Sequence, residues 1–226
     1  MKESLLLIGG GILASLASNA LFGRSIGAVS GDRSLDITPR SPAFGIWGVI
    51  YTLLVICVVY IARGRALPSR GFAYALGASL VLSAIWVPAF VRNTPGSLLA
   101  ASLTLWFALA AALVAVHLAG PLPSDAAQAV AVQGSAGLYA GWLCCAAVLG
   151  TGIAMKAQNI SLPSWSLFAL ALGVSLLSVI TRNPVLAVPA IWAIAWQNKC
   201  TAMGVGGVVS LVTGVILSVS ATPKVT

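Results

Sequence analysis

Residues 39–51 read PRSPAFGIWGVIY, and their chemistry is that of flat, weakly polar surfaces. Phe44, Trp47 and Tyr51 are spaced by three and four residues, which puts them on one side of a helix, and the prolines ahead of them fix how the chain enters it. Such a wall packs another helix or holds a flat ligand, with the Tyr51 hydroxyl as a polar handle. Two more aromatic groups follow: Trp86 and Phe90 in W-V-P-A-F, and Tyr139 and Trp142 in L-Y-A-G-W. Arg40, at the entrance to the first group, is placed to meet a carboxylate.

Other chemistries are excluded by what the apolar stretches lack. Glu3, Asp32, Asp36 and Asp125 all fall outside them, so no carboxylate is set up for a proton relay or for paired acid-base work. His117 is the single histidine and has no acid beside it, which removes a Ser-His-Asp site; its reading is interfacial hydrogen bonding rather than metal or pigment ligation. Cys57, Cys144, Cys145 and Cys200 show no C-x-x-C spacing and are read as small packing residues. The glycines at 9–11 and at 204, 206 and 207 lack the strand-to-helix setting of a phosphate loop. Small residues four apart, as at Gly137 and Gly141, are read as sites of close helix approach. An enzyme is not expected.

The elements that must position these residues follow from composition. Of 226 residues 59% are hydrophobic and 7% charged, against about 25% charged in a soluble domain. This is the composition of an all-α, polytopic membrane bundle. The net charge of +8 comes from Lys and Arg scattered singly between apolar runs, which marks membrane boundaries and not a nucleic-acid surface. Eight runs are expected to be helices: Leu5 to Phe22, Phe44 to Ala62, Phe72 to Val91, Leu98 to Ala119, Ala127 to Met155, Leu162 to Thr181, Val185 to Trp196 and Thr201 to Ser220. The seventh is short, although Asn183 and Pro184 make a good helix start and Lys199 can snorkel, so seven crossings is the alternative to eight.

The first run resembles a secretory signal but approaches membrane length and is read as retained. The longest loop is expected between Gly23 and Ser41. The 12 Lys and Arg divide six and six between the two sides, so they fix no orientation; the gathering of Arg63, Arg65 and Arg70 favours a cytoplasmic or equivalent loop there. The host membrane is left open. Trp165 and Trp196 are read as interface anchors, and Pro88 and Pro189 as candidate helix breaks.

The signatures W-G-V-I-Y, W-V-P-A-F and L-Y-A-G-W, in that order on the second, third and fifth runs, resemble the translocator protein family (TspO/MBR). The I-T-P segment at Ile37 to Pro39 leading into A-F-G-I-W is similar to its tryptophan-rich sensory branch. The resemblance implies a five-helix core over residues 1–156 and a C-terminal transmembrane extension of about three helices over 157–226. It implies a non-enzymatic binding or sensory protein holding a flat apolar molecule, a tetrapyrrole or sterol-like compound, among Phe44, Trp47, Tyr51, Trp86, Phe90, Tyr139 and Trp142, with Arg40 at the mouth. No cofactor is fixed beyond such a tetrapyrrole ligand. Ser83 and Gly150 stand where the family often has asparagines, and the first loop lacks its usual tryptophan, so the fold carries over more safely than the ligand. Two alternatives stay open: a structural or assembly subunit of a larger, pigment-associated membrane complex, and a facilitated carrier of an uncharged solute. Expected partners are the lipid bilayer, the small apolar ligand, and either a second copy or complex subunits.

Overall fold

The computed structural model describes residues 2–65, 67–123, 125–163, 165–197 and 202–220, with side chains in the last stretch described for 207–219. Eight helices in the order of the eight apolar runs make up the described residues, which contain no strand: α1 (Lys2–Asp32), α2 (Ile46–Ala62), α3 (Arg70–Val91), α4 (Pro95–Ala119), α5 (Ala126–Lys156), α6 (Ser166–Thr181), α7 (Val188–Ala195) and α8 (Ala202–Ser220). Short 3-10 turns, Ser41–Gly45 and Pro184–Ala187, lead into α2 and α7. The chain is an integral, multi-pass membrane protein. Five helices are long and apolar enough to cross a bilayer: α1, Ser41–Ala62, α3, α4 and α5. Ser166–Thr181 and Pro184–Ala195 are shorter than a full crossing, and α8 is apolar over Gly207–Val219.

The five long helices form a ring. α1 lies along α3, α3 along α4 and α4 along α5; α5 meets α2, and α2 returns to α1 through a much lighter contact. The centre is α5, whose residues 131–145 are all buried, as an all-round apolar helix requires. Its first turns are a π-helix, Ala129–Gly134, and neighbours take up the carbonyls that this geometry frees: Ser135 Oγ donates to Ala131 O at 2.6 Å and Asn183 Nδ2 to Gln133 O at 3.0 Å. Capping fits the chain's small polar residues. The Ser69 hydroxyl caps α3, and a reciprocal Thr94–Ser97 capping box starts α4 behind Pro95.

Pro88 does not break α3. Without an N–H it leaves the Ala84 carbonyl unpaired, and Ser18 Oγ on α1 donates to that oxygen at 3.0 Å. One turn earlier Ser15 Oγ donates to Leu80 O at 2.9 Å, so two hydroxyls stitch α1 to α3. Pro189 likewise starts α7 and does not interrupt it.

The expected loop from Gly23 is helical as far as Asp32. Val29, with Ile26 beside it, packs on Phe90, Leu98, Ala101, Ile153 and Ala154, which holds these extra turns in place. At 31 residues α1 is about 46 Å long, against about 30 Å of hydrocarbon, so one end stands clear of the core.

Beyond α5, α6 pairs with α8, and the short hairpin of 184–195 lies on α5. Here Gly137 and Gly141 act as the sequence implies. A Cβ on Gly137 would lie 2.8 Å from Asn183 Nδ2, and one on Gly141 would overlap the Leu186 carbonyl. Asn183 starts the turn as expected, its side chain accepting from Val185 N at 3.1 Å with Pro184 next. Cys57, Cys144 and Cys145 are buried free thiols, whereas Cys200 and Lys199 lie outside the described residues. His117 is exposed in the last turn of α4. Trp165 is exposed at the start of α6, but Trp196 is engaged by Arg40 and Trp192.

Candidate functional site

Inside the ring is a cavity of about 110 Å³ to which all five long helices contribute: Asn19, Ile26 and Ser30 from α1, Trp47 and Tyr51 from α2, Ser83, Trp86 and Phe90 from α3, Leu105 from α4, and Trp142 to Ile153 on one face of α5. Thr38 and Phe44 complete it from the segment ahead of α2. Six of the eight residues singled out in the sequence therefore surround one space: Phe44, Trp47, Tyr51, Trp86, Phe90 and Trp142. Phe44 reaches it from the 3-10 turn and not from α2 itself, yet it still shares a wall with Trp47.

The rings support one another. Trp47 stacks on Tyr51 at 5.4 Å and 24° and meets Trp142 edge-on at 6.2 Å and 82°; Phe44 meets Trp142 at 5.8 Å and 89°. Trp86 and Phe90, one turn apart, lie at 4.9 Å. Each such pair contributes about 0.5–1.5 kcal/mol beyond burial, enough to fix ring orientations before anything enters.

Tyr139 stands behind this wall. It is fully buried, with its hydroxyl 2.7 Å from Ser83 Oγ and 3.3 Å from Ser79 Oγ, while its ring approaches Trp47 at 6.4 Å. Its hydroxyl thus orients Ser83, which does line the cavity. Arg40 lies farther out. It borders a second, wider space of about 910 Å³ between the C-terminal half of α1 and residues 34–42, which adjoins the cavity at Asn19, Ile26, Ser30, Thr38, Phe44 and Trp47. This vestibule occupies the light α1–α2 seam, where one side-chain bond crosses: Asn19 Nδ2 donates to Tyr51 OH at 3.1 Å.

Sequence reasoning missed α1 altogether. Gly23, Gly27 and Gly31, four residues apart, form its vestibule wall, and a Cβ on any of them would meet nothing within 4 Å. Their spacing and the polar Asn19 and Ser30 beside them were the available signal.

The cavity's polar edge is nearly all paired internally. Asn19 donates to Ser15 O at 2.8 Å as well as to Tyr51, and Ser83 is held by Tyr139. The exception is Trp86, whose indole N–H is buried without a hydrogen-bond partner. No formal charge lines the inner cavity, and the described residues contain no group of three His, Cys, Asp or Glu able to hold a metal ion. What the arrangement can do is take up a flat apolar body edge-first from a polar-rimmed mouth.

Comparison with known proteins gives one match. No curated protein and no solved structure matches the chain. The sequence profile described as TSPO-like protein matches residues 4–222, running through the five-helix ring and the helices after it. An apolar bundle with an aromatic cluster at its centre, matched over nearly its whole length, is accordingly a member of the TSPO-like protein family.

Proposed function

We propose that this protein is a non-catalytic membrane receptor for a flat, largely apolar ring compound, with a tetrapyrrole as the favoured class and a sterol-like compound second. The observation that carries the reading is the single cavity built by all five helices, with aromatic walls from α2, α3 and α5. Family membership supports a binding role, and the aromatic walls support a planar occupant. At about 110 Å³ the inner cavity is smaller than the roughly 300–1,000 Å³ usual for a drug-sized ligand. A tetrapyrrole would therefore insert one edge between Trp47, Trp86 and Trp142 and leave the rest in the vestibule, where Arg40 is available to a propionate. The unpaired Trp86 N–H favours a ligand that carries an acceptor on its buried edge, because a purely hydrocarbon edge would leave that donor unsatisfied.

The assembly-subunit reading needs small-residue faces turned outward to partners. Instead Gly207 packs on Ala171 and Gly214 on Ser175, within the α6–α8 pair, and Gly137 and Gly141 are used within the chain. Affiliation with the tryptophan-rich sensory branch belongs to the same proposal and rests on Ile37 to Trp47.

Titration of the purified protein with a porphyrin, followed by quenching of tryptophan emission, tests the reading. Saturable quenching should occur in the native protein, with affinity lowered at least tenfold in Trp47→Ala and in Trp142→Ala. Quenching that is absent, or equal affinity in all three proteins, overturns it.

A further inference from the structure

The segment from Ile37 to Phe44 forms the outer rim of the vestibule, and little of its own holds it there. Pro39 and Pro42 have no N–H, and the segment's internal support is one turn, Ala43 N donating to Arg40 O at 2.9 Å. Its other backbone groups need partners from elsewhere. They find them on the far end of the chain, more than 140 residues away.

Three hydrogen bonds, spread along the segment, come from residues 192–197. Gln197 Nε2 donates to Ile37 O at 3.5 Å, Arg40 N donates to Trp196 O at 3.0 Å, and Trp192 Nε1 donates to Ala43 O at 2.8 Å. The Arg40 guanidinium also lies over the Trp196 ring at 5.5 Å, and Trp192 braces that ring edge-on at 5.6 Å. The next residue after Ala43 is Phe44, which is 40% exposed on one side and meets Trp142 in the cavity on the other. Residues 192–197 themselves follow a hairpin seated against Gly137 and Gly141 with no room for a side chain between. A rigid seat, a two-tryptophan clip and a rim segment are thus connected in series.

We infer that Trp192 and Trp196 are positioning residues that hold the Ile37–Phe44 rim in place and so control how fast a ligand passes the vestibule. They touch neither the inner cavity nor its walls. Their removal loosens the rim and speeds entry and exit alike, because the site that sets affinity is left intact. The kinetic part rests on the binding role proposed above; the mechanical part does not.

Amide hydrogen exchange on the full-length protein in lipid nanodiscs separates the two. Trp192→Phe keeps the ring and removes the indole donor. Exchange of the peptide covering residues 37–45 should accelerate roughly three- to tenfold, the factor expected for one net hydrogen bond. Trp196→Ala should do at least as much. Trp106→Phe, which removes the comparable bond from Trp106 Nε1 to Thr151 Oγ1 on α4 and α5, should leave that peptide unchanged. Unchanged exchange at 37–45 in both Trp192→Phe and Trp196→Ala overturns the inference.

Stopped-flow mixing with a porphyrin, read by its own absorbance, is the second arm. Trp192→Phe should raise association and dissociation rates by similar factors and keep Kd within about twofold. A change in Kd with an unchanged association rate contradicts a gate. If porphyrin fails to bind the native protein, the binding proposal falls and the exchange result alone decides the role of the clip.

Discussion

Two sets of glycines, each at four-residue spacing, meet opposite fates in this molecule. At Gly137 and Gly141 on α5 the backbone of the 184–195 hairpin fills the space that a side chain would need. At Gly23, Gly27 and Gly31 on α1 that space is empty and becomes the wall of the vestibule. The same pattern closes one seam and opens another. What differs is the partner: opposite α5 stand Asn183 and Pro184, which turn the chain tightly, whereas opposite α1 stands a proline-punctuated segment held off by its own clip. A small-residue motif permits close approach without compelling it.

The contrast can be broken most sharply at Gly141. Gly141→Leu forces its side chain into the Leu186 carbonyl, with an expected loss above about 3 kcal/mol, seen as a large fall in thermal midpoint in detergent or as failure to fold. Gly137→Ala is milder, about 1–3 kcal/mol, because Asn183 has to leave its bond to Gln133 O; thermal unfolding of the variant measures it. Ser18→Ala strips the donor from the Ala84 carbonyl and should cost about 0.5–1.5 kcal/mol by the same assay. Gly27→Ala, in the open set, should leave stability unchanged or raise it by up to about 1 kcal/mol, since only helix propensity is altered. A destabilised Gly27→Ala would mean that α1 and α2 close on each other in the membrane.

Much of the ring was legible from residues alone. The motifs at Trp47, Trp86 and Trp142 announced a shared interior because large aromatics in uncharged spans have few other uses, and six of the eight chosen residues do surround one space. Tyr139 and Arg40 missed the inner cavity for a reason no spacing reveals: one is tied down by Ser79 and Ser83, and the other is drawn outward over Trp196. α1 went unread since its contribution is an absence of side chains. Pro88 looked like a break because the hydroxyl that satisfies its carbonyl lies on Ser18, in a different helix. The clip at Trp192 was also hidden, since it binds backbone oxygens, which every residue carries.

The widened turn at Ala129–Gly134 fixes the phase of everything that follows on α5. One residue more or less in an α-helix turns its remainder by about 100°. Downstream, Gly137 and Gly141 must face the hairpin while Trp142 and Gly150 face the cavity, so both faces depend on the same register. A one-residue deletion there, even of an alanine that touches nothing important, would swing both faces out of alignment together. In this stretch the chain is constrained by its count of residues more than by their kind.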